Sequence, residues 1–168
     1  SATGTLQPLT QVDVSSELSG VVREVTVDEN ARVSEGDVLL RLDTTRIDAQ
    51  IERAEANVTA ARARVGEARI TLTEAEQAFQ RAEQLSSRGM VAEQALDTAR
   101  ATRDRGASAV ETAQANLDIA EADLKLQQAE RDKSTIYAPI DGIVLTRSVN
   151  PGQTVAASTS APVLFVIA

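Results

Sequence analysis

A long apolar repeat in the middle of the chain limits the folds that this sequence can adopt. Between residues 47 and 82, apolar side chains recur at alternating intervals of four and three residues. The repeat consists of Ile47, Ile51, Ala54, Val58, Ala61, Val65, Ala68, Leu72, Ala75, Phe79 and Ala82. This spacing forms one apolar stripe along an α-helix and is typical of left-handed coiled coils. The sequence therefore predicts a helix of about five heptads that packs against another helix.

A second repeat of the same kind follows a short break. It consists of Leu96, Ala99, Arg103, Gly106, Val110, Ala113, Leu117, Ala120 and Leu124. Its side chains are smaller, and Arg103 and Gly106 interrupt its apolar character. Two stripes of similar length joined by about four residues predict an antiparallel coiled-coil hairpin. An arm of about 40 residues would extend roughly 60 Å.

Capping signals define the ends of the two predicted helices. Gly89 follows Arg88, as expected for a helix that ends in a left-handed glycine with a cation in its last turn. Asp43 or Thr45 is expected to cap the start of the first helix. The expected boundaries are a helix over residues 44–88, a tip over 89–92 and a helix over 93–134.

The segments on both sides of the hairpin predict short β-strands and resemble each other. The four prolines stand at positions 8, 139, 151 and 162, outside the predicted helices. The run Ser19-Gly20-Val21-Val22 matches Asp141-Gly142-Ile143-Val144, and a Val-x-x-Gly turn at Gly36 matches one at Gly152. Both turn glycines are expected to have a positive φ. Because each segment is too small to fold alone, the two are expected to form one β-sandwich. The predicted fold class is α+β.

Composition excludes several classes of function. The chain has 168 residues, no His, no Cys and no Trp, so a Ser-His-Asp triad, a Cys nucleophile and an ordinary zinc site are excluded. The formal charge of −8 argues against a nucleic-acid partner, which would require clustered Lys and Arg. Acidic residues show no spacing typical of a metal site. The sequence therefore predicts a protein that is not an enzyme and has no cofactor or metal.

Targeting signals are also missing from the sequence. No apolar run approaches the roughly 20 residues that a membrane-spanning helix needs. The chain begins without a start Met. We therefore expect a piece of a longer protein whose targeting signals lie elsewhere.

The order of these parts resembles that of a known family. Half of a lipoyl-like β-sandwich, a helical hairpin and the other half of the sandwich form the layout of periplasmic adaptors. These are the membrane fusion proteins, or HlyD-type proteins, of efflux pumps and type I secretion systems. The resemblance lies in Val12-Asp13-Val14, Ser19-Gly20, residues 36–43, residues 136–142 and Gly152-Gln153-Thr154-Val155. The segments most similar to the MacA branch are Leu9-Thr10-Gln11-Val12-Asp13-Val14, Leu96-Asp97-Thr98-Ala99 and the Gly-Gln-Thr-Val turn.

The resemblance implies a division of the chain into parts. The hairpin over residues 44–134 would be inserted between lipoyl-like halves at 12–43 and 135–168. Residues 1–11 would be a strand or linker from a β-barrel domain that this chain lacks. The membrane-proximal domain and the inner-membrane anchor of the family would also lie outside it.

The resemblance further implies that the hairpin tip binds a TolC-like outer-membrane channel. Members of the family carry an Arg, a Leu four residues later and a Ser seven residues after that. Arg81 and Leu85 match the first two positions, whereas Ala92 replaces the Ser. Because Ser would cap the second helix there, this departure removes a cap that contributes about 1 kcal/mol. The candidate channel-binding residues are Arg81, Leu85, Arg88, Gly89, Met90 and Ala92.

Other expectations also come from the resemblance. The family assembles as a ring, commonly a hexamer, and Asn150 and Gln153 are candidates for a polar gate in its conduit. The protein would act in the periplasm, anchored to the inner membrane in its longer form. Its inner-membrane partner would be a MacB-like ABC transporter, with an RND pump or a type I secretion system as alternatives.

Two other classes of function remain as alternatives. The hairpin could be a spacer or an oligomerising coiled coil, which predicts that deleting residues 81–96 is harmless. A carrier domain would present a modifiable Lys at a tight β-turn. Lys125 and Lys133 are the only lysines, and both lie in the predicted second helix, which argues against a carrier.

Overall fold

The structure is a computed structural model that describes Gly4 and residues 7–168. Its strands are β1 Val12–Val14, β2 Gly20–Val25, β3 Arg32–Val33, β4 Val38–Leu42, β5 Thr135–Tyr137, β6 Gly142–Arg147, β7 Thr154–Val155 and β8 Phe165–Ile167. Its helices are α1 Thr45–Ser87 and α2 Glu93–Asp132. The chain divides into a β-unit, which combines the described residues up to Ala49 with Gln128–Ala168, and a helical unit, Gln50–Gln127. The strand or linker expected for residues 1–11 lies partly outside the described residues, and residues 7–11 contain no strand.

The β-unit is built from two four-stranded antiparallel sheets. Their strand orders are β1-β8-β6-β3 and β5-β4-β2-β7, so each sheet combines strands from both sides of the hairpin. Each half therefore depends on strands of the other half to complete both sheets. The predicted fold class, a helical hairpin inserted between two halves of one sandwich, is confirmed.

The two halves are related by an approximate twofold symmetry of strand pairing. Replacing each strand with the one four places away in chain order converts the order of one sheet into that of the other. The loop hydrogen bonds obey the same symmetry. The Asn30 amide donates to the Val144 carbonyl at 2.8 Å, and the Gly152 amide donates to the Val22 carbonyl at 2.7 Å. Each half therefore forms equivalent hydrogen bonds with the other half.

One part of the sequence match between the halves aligns differently in the structure. Gly20 and Gly142 begin the equivalent strands β2 and β6, as the match suggests. The structural counterpart of Gly152 is Asn30, however, and not Gly36. Gly36 and Gly152 have the expected positive φ, at 89° and 85°, and Asn30 has a φ of 68°. Matching by glycine alone missed this equivalence because Asn also adopts the left-handed region.

The sandwich is held together by a core of buried aliphatic side chains and one phenylalanine. Phe165, Leu39, Leu40, Val144 and Ile167 are fully buried. The rest of the core consists of Val14, Val22, Val33, Leu42, Ile136, Ala138, Val149, Val155 and Leu164. In β8, Phe165 and Ile167 are buried on either side of the half-buried Val166, as expected for alternating faces. In β4 the adjacent Leu39 and Leu40 are both buried, at a register shift in the pairing with β2 and β5.

The first helix starts with a hydrogen-bonded turn that differs in detail from the expectation. Thr44 occupies the N-cap: its carbonyl accepts the Asp48 amide at 2.8 Å, and its hydroxyl donates to Oδ2 of Asp48 at 2.9 Å. Oδ1 of Asp43 accepts the Thr45 amide at 3.0 Å. The backbone amide and then the hydroxyl of Thr45, with a smaller contribution from Arg23, hold the pKa of Asp43 below its ordinary value. Asp43 and Thr45, the two expected capping residues, therefore interact with each other at the start of α1, while Thr44 occupies the N-cap position.

In the helical unit, α1 and α2 form the predicted antiparallel pair. Its core contains Val58, Ala61, Val65 and Leu117. Every position of both apolar repeats is buried or half-buried, including Arg103 and Gly106. The two residues interrupt the apolar character of the repeat, as expected, but both are packed within the seam. A Cβ at Gly106 would lie 3.4 Å from Cα of Leu72, and the Arg103 guanidinium covers the Phe79 ring at 4.3 Å from its centroid.

Candidate functional site at the hairpin bend

The bend between the helices is closed by a glycine C-cap. Gly89 has a φ of 69°, which L-residues rarely adopt. The Gly89 amide donates to the Ser86 carbonyl at 3.0 Å, and the Met90 amide donates to the Leu85 carbonyl at 2.9 Å. This pair of hydrogen bonds is a Schellman motif, which satisfies carbonyls at the end of α1. The local sequence therefore supplies the motif that ends α1 at Ser87.

Replacing Gly89 with alanine is expected to destabilise the hairpin by about 1–2 kcal/mol, because alanine is strained in the left-handed conformation. Gly66 is a matched control, since it lies inside α1 and a Cβ there would meet no atom within 4 Å. Gly66→Ala should stabilise the helix by up to about 1 kcal/mol. Urea unfolding followed by helical circular dichroism measures both changes. Equal effects of the two substitutions would contradict the assigned role of Gly89.

The second helix begins without a side-chain cap. Because α2 starts at Glu93, Ala92 occupies the N-cap position. Its carbonyl accepts the Ala95 amide at 3.0 Å. Its methyl group, however, provides no acceptor for the free amides of the first turn, as a serine hydroxyl would. The structure thus places Ala92 where the sequence analysis expected it, with the expected loss of a cap.

Four side chains form an exposed surface beside the bend, which we call the bend surface: Arg81, Leu85, Arg88 and Met90. Arg81 and Leu85, four residues apart, lie on one side of α1, whereas Arg88 follows the last residue of the helix, Ser87. Met90 is 68% exposed and Leu85 is 38% exposed. Among the described residues, neither Arg81 nor Arg88 forms a salt bridge. The bend surface thus combines unpaired cations with apolar side chains, a combination suited to an apolar groove lined by carbonyl or carboxylate oxygens.

The second candidate site lies in the turn between β6 and β7. The Asn150 amide donates to Oε1 of Gln153 at 3.1 Å, and the Gln153 amide donates to the Asn150 carbonyl at 3.2 Å. Both residues are exposed. The Gln153 side chain therefore helps to close its own turn, whereas the Asn150 side chain makes no hydrogen bond to the described residues. Of the two gate candidates, Asn150 has the freer side chain.

The described residues offer little support for other kinds of site. They contain no group of three or more acidic side chains placed to hold a metal ion. In the same part of the chain, neither helix is both long and apolar enough to cross a bilayer. The stacking of Arg103 on Phe79 was missed from the sequence. It could have been suspected, because Phe79 is the single aromatic residue between residues 44 and 134.

Comparisons with known proteins agree with this architecture. Residues 10–167 match the family model described as RND MFP, barrel-sandwich hybrid domain. The chain is 31% identical over 167 residues to the pyoverdine export membrane fusion protein PvdR of Pseudomonas putida. It is 30% identical, also over 167 residues, to the macrolide export protein MacA of Yersinia pestis. These alignments cover 99% of this chain but only 43% and 45% of the two relatives.

A solved structure extends the similarity to three dimensions. The crystal structure of MacA from Actinobacillus actinomycetemcomitans superposes with a TM-score of 0.90 at 25% sequence identity. The match covers 95% of this chain and 49% of that chain. The family resemblance predicted from the sequence is thereby confirmed: the chain belongs to the membrane fusion proteins and contains their barrel-sandwich hybrid domain.

Proposed function

We propose that this protein is a periplasmic adaptor that links an inner-membrane transporter to a TolC-like outer-membrane channel. The observation that carries the proposal is the bend surface, which exposes cationic and apolar side chains at the end of a capped hairpin. The similarity to MacA and PvdR supports an adaptor role, and that role requires no catalytic step. Because the chain spans less than half of the length of these relatives, the activity of the whole protein is part of the proposal.

The proposed transporter is a MacB-like ABC protein. The similarity to MacA over nearly the whole chain supports this assignment. The description of the matching family model as RND MFP supports the alternative, an RND pump. Expressing the whole protein with either kind of transporter in a strain that lacks adaptors distinguishes the two, because only the true partner should restore export.

The proposed oligomer is a ring, with six copies as the leading expectation. The exposed turn at Asn150 and Gln153 would then place a polar side chain from each copy in the conduit. The free side chain of Asn150 makes it the better candidate for the gate. Gln153 would support the loop by closing the turn, since its Oε1 accepts the Asn150 amide at 3.1 Å.

Reversing the charge of Arg81 is expected to reduce export strongly. A contact arginine contributes about 2 kcal/mol or more to binding, so Arg81→Glu should weaken binding to the channel about 30-fold. Channel binding by the purified whole protein and growth in the presence of an exported compound measure the effect. Arg64→Glu is the control, because Arg64 is an exposed arginine of the same helix far from the bend.

Two outcomes would contradict the docking role of the bend. Wild-type export by the Arg81→Glu variant would remove Arg81 from the contact. Wild-type export after deletion of residues 81–96 would favour the spacer alternative, in which the bend binds nothing.

A further inference from the structure

Arg103 lies in the seam between α1 and α2, where an apolar residue would be expected. Its guanidinium carbon lies 4.3 Å from the centroid of the Phe79 ring, and that of Arg100 lies 5.8 Å away. Nε and Nη2 of Arg103 donate to Oδ1 of Asp104 at 3.1 and 2.9 Å. The Arg103 side chain is 34% exposed, so its charge is partly dehydrated and is compensated by the ring and the carboxylate.

The rest of the seam repeats almost identically from heptad to heptad. One series on α1 is alanine at every seventh residue: Ala54, Ala61, Ala68, Ala75 and Ala82. The small series on α2 is Ala99, Gly106, Ala113 and Ala120. Gly106 of this series packs against Leu72, not against an alanine of α1. The remaining seam positions are Ile, Val, Leu or Phe, with Arg103 as the exception. If one helix slid along the other by a heptad, nearly every seam residue would therefore meet a residue of the same type as before.

Arg103 makes the native register differ from the registers reached by a slip of one heptad. A slip that brings Arg103 one heptad away from Phe79 would place its guanidinium against Leu72 or near Ser86, without an aromatic face. Phe79 would lose its contact with the Arg103 guanidinium but would remain packed in the seam, because it would meet Leu96 or Val110. A polar group at a seam position costs stability but penalises every register in which it has no partner.

We propose that Arg103 is a positioning residue that determines the register of the hairpin through its contact with Phe79. Register and bend are linked, because a slip of one heptad moves the chain reversal by about three or four residues. Gly89 would then leave the bend, and different side chains would occupy the bend surface. The consequence for export rests on the proposed function, whereas the register itself does not.

Cysteine cross-linking can read the register directly, since the chain contains no native Cys. A Cβ at Gly106 would lie 3.7 Å from Cβ of Leu72, within the range for a disulfide. The pair Leu72→Cys with Gly106→Cys therefore reports the native register. Leu72→Cys combined with Ala99→Cys or with Ala113→Cys reports a slip of one heptad in either direction.

The test compares Arg103→Leu with Arg100→Leu in each cysteine background. Arg103→Leu should raise cross-linking of the slipped pairs about tenfold, while the melting temperature of the hairpin stays equal or rises. Arg100→Leu removes the same charge beside the same ring but outside the seam, so it should leave cross-linking unchanged. A purely structural role would instead lower the melting temperature without any change in register.

Unchanged cross-linking of the slipped pairs in Arg103→Leu would overturn the proposal. Export by the whole protein provides a separate measurement. If slipped cross-links increase and export falls, the register determines the bend surface as proposed. If slipped cross-links increase and export is unaffected, the register inference stands, and the proposed docking role of the bend is the part that fails.

Discussion

Replacing Phe165 with alanine is expected to lower the free energy of unfolding of the β-sandwich by about 3–5 kcal/mol. Phe165 is completely buried in β8, where it pairs with Val14 of β1 and Arg147 of β6. Removing its ring would leave a cavity at a point where both halves of the chain meet. Such a loss is comparable to the total stability of many small domains, so the variant should be largely unfolded at moderate temperature.

The fluorescence of Tyr137 can follow unfolding of the sandwich, because it is the only tyrosine and there is no tryptophan. Tyr137 belongs to β5, whereas helical circular dichroism follows mainly the hairpin. Val163→Ala is the matched control, since this residue is 38% exposed in the segment before β8. Its substitution should change the unfolding free energy by about 0.5 kcal/mol or less. Equal effects of the two substitutions would contradict the assignment of Phe165 to the core.

The two equivalent strand-starting glycines are expected to respond differently to alanine. A Cβ at Gly142 would lie 2.5 Å from the Ala168 carbonyl oxygen and 3.0 Å from Cγ2 of Ile167. Ala168 cannot move freely, because it exchanges two backbone hydrogen bonds with Ile143. Gly142→Ala should therefore destabilise the sandwich by about 1–3 kcal/mol through overpacking.

Gly20 provides the control for this substitution. The nearest atom to a Cβ there would be Cδ1 of Leu42, at an ordinary contact distance of 3.7 Å. Gly20→Ala should thus be neutral or stabilise the protein by up to about 1 kcal/mol, because alanine restricts the unfolded chain. Urea unfolding of both variants measures the difference. A loss at Gly20 as large as at Gly142 would show that their environments are equivalent.

These glycines illustrate what the comparison of the two halves could and could not predict. The matching runs at Gly20 and Gly142 correctly identified two equivalent strands. They carried no information on which glycine has room for a side chain. The atoms that crowd Gly142 belong to Ile167 and Ala168, which are about 25 residues away in the sequence. The counterpart of Gly152 was also hidden, because Asn30 achieves the same backbone conformation with a different residue.

The bend shows a similar division between local and distant information. The positive φ of Gly89 followed from the local sequence, and so did the N-cap position of Ala92. The contributions of Arg103 and Gly106 to the seam did not. From the sequence of α2 alone, each residue only interrupts an apolar repeat. In the structure Arg103 packs on Phe79 of α1, and Gly106 packs against Leu72 of α1.

The sequence by itself determined the features that depend on neighbours along the chain: the two helices, the glycine cap between them, the positive φ at two turns, and the family. Helical periodicity and turn conformation depend on residues that are close together in the sequence, so they can be predicted from a local segment. Tertiary structure alone decided which strands pair in each sheet, which glycine admits a side chain, and how Arg103 is accommodated. These features depend on contacts between residues that are distant in the sequence, and such contacts form only when the chain folds.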